Sequence, residues 1–377
     1  MSEYQCYEFV ALDRRLTAAE MAELRGISTR AEITPTRFWN EYNWGDLKAD
    51  PAKLLARYFD VHVYFANWGT HRLMFRLPIA AVDVDALRAY FPGGPATLTT
   101  TGEFAVLDLC SEVEEPEEEW WEEGHLAASL TPLRAELLRG DLRIAYLAWL
   151  LAVQDGEVDP AAGEPPVPRG LGGLSAPLVA LVDFLRVDQD LLAVAAQSSS
   201  EAGGDAGRFR EWVKQLPPGE QQRWLLRAVD NPDLALGSAL LGEFRRAQPA
   251  VADRQRRTVA QLLARAEEVE DERRREALRR QAQARAAAAA ARERELAALG
   301  RRGASAWREL EQLVEARSYD GAVRLAVDLR EVAVREKGVE EFDSRMVEVR
   351  QRYARRRAFL DRLRRADPAL VGDPARQ

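Results

Sequence analysis

The chain is poor in the residues on which most enzymes build their chemistry. Its 377 residues include three histidines, His62, His71 and His125, and two cysteines, Cys6 and Cys110. Metal sites need convergent His, Cys or carboxylate ligands, and no histidine here stands at a paired ligand spacing. No metal site is expected. Both cysteines lie in apolar, strand-like runs and read as small core residues of a reducing compartment. Phosphate-cradling glycine loops of the common spacings are missing. Gly170-Leu171-Gly172-Gly173 is too short, and it follows a proline loop rather than a strand. Neither a Gly-x-Ser-x-Gly elbow nor a Cys/His pair occurs in a fitting context. These absences argue against an ordinary hydrolase or dehydrogenase, and no cofactor is expected.

Long hydrophobic runs are scarce too. The longest, such as Ile144 to Val153, fall short of the roughly 20 residues a membrane span needs. Met1-Ser2-Glu3-Tyr4 does not open a basic, then apolar, secretory signal. The expectation is a cytoplasmic protein with no membrane partner. Lysine is nearly absent (Lys48, Lys53, Lys214, Lys337) while arginine is abundant, a bias of GC-rich coding, so arginine alone does not mark an anion site. The net charge of −8 disfavours non-specific binding to DNA or anionic membrane.

What is present is a chain able to fold. Hydrophobic residues make up 47% and charged residues 30%, and the length suggests two or three domains. Residues 1–111 carry strand signals between short helices. Tyr4 to Leu12 reads as a first strand. Thr17 and Glu20 stand at capping-box spacing before Met21 and Leu24. A second extended run spans Ala31 to Tyr42, with Pro35 arguing for an edge strand or an irregular segment rather than a central strand. Asp50-Pro51 opens a helix. Val61–Trp68 and His71–Leu77, separated by Gly69-Thr70, form a hairpin. A helix near Val84–Tyr90 and a strand pair around Thr101-Gly102-Glu103 complete the order βαβαββαββ, a helix-backed sheet in an α+β domain.

Residues 112–124 hold eight glutamates around Pro116 and Trp120-Trp121 and read as an acidic linker. Everything beyond reads as helix: a helical domain over 125–248, then a charged helix over 251–300 without proline. From Arg279 to Glu295 its only apolar residue is alanine, so it lacks the large a and d residues of a coiled coil. Pairs such as Glu276 with Arg280 have the favourable i,i+4 order. A single exposed helix of at most about 70 Å is expected. Gly300 and Gly303 end it, a helical hairpin (Ala304 to Ala316, Asp320 to Lys337) with one further helix occupies 304–366, and 367–377 reads as a disordered tail.

Several strings resemble a family of bacterial cytosolic proteins of no known activity. They include Tyr7-Glu8-Phe9, Ala11-Leu12-Asp13-Arg14, Ser28 to Thr36, Asn40-Glu41-Tyr42 with Trp44-Gly45-Asp46, Ala66 to Thr70, Gly140-Asp141-Leu142-Arg143 and Pro165-Pro166-Val167-Pro168. The resemblance spans roughly residues 4–195. It implies a bacterial cytosolic origin and transfers no functional residue.

Two constellations stand out. Arg30, Glu32, Arg37, Trp39, Asn40, Glu41, Trp44 and Asp46, with Asn67 and Trp68 at the hairpin tip, combine aromatics with amide and charged groups as recognition surfaces do. The alternative is that the tryptophans cap the sheet core. At the other end, Arg352, Arg355, Arg356 and Arg357 head a basic cluster that either forms a solvated helix face or contacts nucleic acid. The leading expectation is a non-enzymatic interaction or regulatory protein whose partner is another protein. A nucleic-acid-associated regulator is the second reading. An enzyme with an unfamiliar site around Glu32, Asn40, Glu41 and Asp46 is the third.

Overall fold

The aromatic run at the N-terminus forms β1 (Gln5–Val10), the third strand of a seven-stranded, wholly antiparallel sheet. The computed structural model describes residues 4–114, 126–200, 205–230, 236–247 and 256–370. After β1 comes α1 (Ala18–Ile27), opened by the expected capping box: Glu20 N–H donates to Thr17 Oγ1, and Thr17 N–H to Glu20 Oε2. The extended run over 31–42 is two strands, not one. Pro35 falls in the turn between β2 (Glu32–Thr34) and β3 (Arg37–Tyr42), where its missing N–H costs no ladder bond. The order therefore gains one strand over the expected βαβαββαββ. Asp50 caps α2 (Pro51–Tyr58). The hairpin β4 (Val61–Ala66) and β5 (Thr70–Pro78), then α3 (Val84–Arg88), β6 (Ala96–Thr101) and β7 (Phe104–Glu112), complete the domain. Across the sheet the strands run β2-β3-β1-β4-β5-β7-β6.

Alternation along each strand sends side chains to two faces. Tyr7, Phe9, Phe38 and Met74 share one core with Leu24 of α1 and Leu54, Leu55 and Tyr58 of α2. Val61, Val63, Leu73, Phe75, Leu107 and Leu109 point to the opposite face. There they meet α4 (Leu126–Leu130), α5 (Pro132–Leu138), α6 (Arg143–Gln154), α7 (Ala176–Leu185) and α8 (Gln189–Ala196). Helix α6 is buried at every position from Ile144 to Val153, which accounts for its unbroken apolar run. The expected division into a sheet domain ending at 111 and a helical domain starting at 125 is thus not a division between cores. Residues 1–272 form one compact unit. Residues 115–125, with most of the glutamate run, Trp120, Trp121 and His125, lie outside the described residues.

A buried charge network locks α5 to the sheet. The Asp60 carboxylate accepts N–H groups from Leu12 and Asp13 at 2.6 and 2.9 Å and the Arg76 guanidinium at 2.8 Å. Arg134 of α5 lies 3.5 Å from the same carboxylate, donates to the Arg76 carbonyl and clamps Asp13 with two bonds. Burial alone would raise Asp60, but the N–H groups of Asp13 and Leu12 and the Arg76 and Arg134 charges hold it below the usual carboxylate range.

Beyond α8 lie α9 (Asp205–Gln215), α10 (Pro218–Asp230) and α11 (Leu236–Ala247), where Phe209 stacks on Trp212 and Phe244 meets both rings edge-on. The long helix α12 (Val259–Arg302) follows, and every residue from Glu270 to Ala291 is exposed. Its start is tied to the first unit. Arg257 makes two bonds to the buried Glu164, which also accepts the Tyr146 hydroxyl at 2.5 Å. Gly300 does not end α12; Gly303, at φ +48°, does.

The second unit, residues 273–377, has one helix more than the expected hairpin with its further helix. Four helices follow the break, α13 (Ala304–Glu315), α14 (Tyr319–Arg335), α15 (Val339–Arg352) and α16 (Arg357–Ala366). With Leu296 and Leu299 of α12 they close a core around Ala306, Leu310, Ala326, Met346, Phe359 and Leu363. The tail read as disordered from 367 begins with a 3₁₀ turn, Pro368–Leu370. There Leu370 is buried and Asp367 accepts Arg330 at 2.8 Å. Residues 371–377 lie outside the described residues. Among the described residues no helix is long and apolar enough to cross a membrane.

Candidate functional site

The pleat of β3 divides the expected recognition cluster. Phe38, Asn40 and Tyr42 face α1 and α2; Arg37, Trp39 and Glu41 face the other way. Asn40 is buried and donates its amide to Ser28 Oγ at 2.9 Å, a structural bond. On the opposite face Arg37 pairs at 2.6 Å with the buried Glu8 and at 3.6 Å with Glu32. Glu8 also accepts the backbone N–H of Ala127. Arg37 sits 5.9 Å from the Trp39 ring, whose indole N–H is buried without a conventional acceptor. Beside it the Cys6 thiol is pushed up to about 12, first by burial and then by Glu8. Glu41 stands opposite Cys6 in register, and Arg30 is exposed ahead of β2. Arg37 thus ties β3 to β1 through Glu8 and to β2 through Glu32.

The sheet register does bring Trp44 and Trp68 to one end. Gln5 pairs with both Tyr42, at the end of β3, and Ala66, at the end of β4. The loop carrying Trp44-Gly45-Asp46 and the tip carrying Asn67-Trp68 therefore leave the same end, two strand spacings, about 10 Å, apart. Trp44 is 87% exposed and Trp68 41%.

Both segments are held from beneath. The Tyr7 hydroxyl donates to Asp46 at 2.6 Å, and the Leu47 N–H reaches the same Asp46 oxygen at 2.7 Å. Gln5 donates its amide to the Gly45 carbonyl at 2.8 Å and accepts the Tyr64 hydroxyl at 2.9 Å. Gly45, at φ +76°, supplies the left-handed turn. Burial, then the Asp46 carboxylate, raises Tyr7 far above an ordinary phenol, and burial pushes Tyr64 up to about 12. Both stay neutral donors.

The hairpin tip is fixed just as firmly. Asn67 Oδ1 accepts the Tyr4 N–H at 2.9 Å, and the Gly69 carbonyl accepts Val113 N–H and Arg186 Nη1. Arg186 ends α7 at φ +54° and also donates to His71 Nε2 at 2.9 Å, while His71 Nδ1 donates to the Phe184 carbonyl at 2.6 Å. A carbonyl only accepts and a guanidinium only donates, so His71 is neutral here.

Sequence reasoning missed Gln5, Tyr7 and Tyr64. The signal was a polar Gln and two tyrosines on one side of strands otherwise facing an apolar layer. The carboxylates of the enzymatic reading do not converge. Glu32 is on Arg37, Asp46 serves Tyr7 and Leu47, and Glu41 is on the other face from Asn40. Among the described residues no group of three or more His, Cys, Asp or Glu is placed to hold a metal. At the C-terminal end, Arg352 is paired with Glu311 at 2.6 Å, while Arg355 and Arg356 occupy the turn before α16 and Arg357 its first position. Comparison of the chain with protein-family models, curated proteins and solved structures finds no match.

Proposed function

We propose that this is a non-enzymatic interaction protein of the cytoplasm that binds another protein at the sheet end carrying Trp44 and Trp68. The observation that carries the reading is the 87% exposure of Trp44 on a loop whose backbone is anchored by buried Gln5 and Tyr7. An exposed indole on a mobile loop loses rotamer and loop entropy when it binds; one on a braced loop loses less. Large aromatics in braced positions are the residues that dominate protein interfaces. The neighbouring Trp68, 41% exposed on a braced tip, adds about half as much indole surface again.

The test is co-purification from the native host with the full chain as bait. A partner recovered with the wild-type chain is expected to be lost with Trp44→Ala or Trp68→Ala, both of which retain the wild-type thermal transition. Equal recovery with the folded variants overturns the assignment of this surface.

A further inference from the structure

The second unit carries a surface of a different character. Positive charge is segregated along the chain: residues 273–377 hold 25 arginines and one lysine against 17 acidic residues, in a protein of net charge −8. It is densest from Arg345 to Arg365, with nine arginines against Glu348 and Asp361.

Not all nine are available. Arg345 reaches Glu341 at 3.6 Å, Arg352 pairs with Glu311 and Arg362 with Asp320. Of the other six, Arg350 and Arg356 are half-buried, and the geometry of α16 sorts those that it carries. Phe359 and Leu363 point inward and are completely buried. That places Arg357, Arg364 and Arg365, seven and eight residues apart, on the outward side, separated by about 11 Å along the axis. Arg355 lies in the turn that precedes the helix. All four are exposed, and Arg364 has only a 3.9 Å contact with Asp361. Among the described residues no carboxylate pairs with Arg355, Arg357 or Arg365.

The company of these arginines defines the ligand. Exposed side chains between and beside them are Ala354, Ala358, Ala366 and Asp361, and no large apolar residue is exposed on this helix or its turn. A protein interface draws its energy from a desolvated apolar or aromatic centre; this surface has none. Membrane insertion needs an apolar face turned outward, and here that face is the core. A set of exposed guanidiniums spanning about three 3.4 Å steps of a nucleic-acid strand matches a repeating phosphate backbone, each guanidinium able to make two bonds to one phosphate.

We infer that Arg355, Arg357, Arg364 and Arg365 form a sequence-independent binding surface for the phosphate backbone of nucleic acid. The acidic remainder of the chain confines the contact to this helix and keeps it weak and salt-sensitive.

Fluorescence anisotropy of a labelled duplex of about 20 base pairs, titrated with the full chain between about 50 and 200 mM salt, tests this; four phosphate contacts give a log–log slope of about −3 to −4. The quadruple Arg→Ala variant is expected to bind at least tenfold more weakly, and each single replacement to lower the slope by about 1. Since all four side chains are exposed, the variants should keep the wild-type circular dichroism. Should the quadruple variant misfold, Arg355→Ala with Arg357→Ala gives the same reading from the turn and the first helical position. No anisotropy change at the lowest salt, binding unaltered in the folded variants, or equal competition by poly-L-glutamate, which would mark an acidic protein as the ligand, overturns the inference.

Discussion

His62 shows how much a single side chain can tie this fold to its solvent conditions. It is completely buried, stacked 4.0 Å from Phe9, with Nδ1 donating to the Glu8 carbonyl and Nε2 without a partner. Burial lowers its pKa from 6.5 to about 3. The unfolded chain therefore binds a proton at this position between pH 6.5 and 3 that the folded chain refuses. Stability is present in full above pH 6.5 and falls as pH drops, by up to about 1.4 kcal/mol per unit from this group. Urea unfolding at pH 7, 5.5 and 4.5 is expected to show that slope, and His62→Leu to flatten it. An unchanged slope would mean that the imidazole is protonated in place. The sequence offered no hint of this role, because a histidine on a strand reads the same whether it faces water, a metal or a phenylalanine ring.

At the scale of elements, what was legible was local. The Thr17 capping box and the Asp50-Pro51 start depend on residues within four positions of one another, and both formed as read; the hairpin formed too, but its turn spans residues 67–69 and Thr70 already belongs to β5. What escaped depended on partners far along the chain. The run over 31–42 became two strands because β3 pairs with β1, and the same pleat separated Trp39 and Glu41 from Asn40. The break at Lys337-Gly338 fell where it was read, but the turn at Tyr353–Arg356 divides into two helices what had been read as one.

The hairpin tip beside Trp68 is also an element-scale feature. Gly69 adopts φ +107°, and a Cβ there would lie 2.0 Å from the Val113 carbonyl oxygen. Gly69→Ala is expected to cost more than about 1 kcal/mol, from the φ preference and the backbone clash together. Thermal denaturation measures the loss. A neutral result would show that β7 can slide away from the tip.

For the molecule as a whole, the decisive fact is that the cores do not follow the composition. A glutamate-rich interruption at 112–123 suggested a boundary, yet both faces of the sheet are filled, one of them by helices that come after it. The separate core lies instead beyond α12, around Leu310 and Phe359. Leu310→Ala, at a completely buried site, is expected to destabilise that unit by about 2–5 kcal/mol. In scanning calorimetry this should move one transition and leave the transition of residues 1–272 in place. A shift of both by the same amount would show that the two cores melt as one.

The layered interior of residues 1–272 also constrains how this protein can change over evolutionary time. With apolar layers on both faces of the sheet, a strand residue meets a packed layer whichever way it points, so innovation there is slow. The freedom that remains is at the strand ends and along the outer strands, of which β2 is three residues long and β6 carries a run of threonines. New specificities would be written on that rim, while the interior stayed nearly fixed.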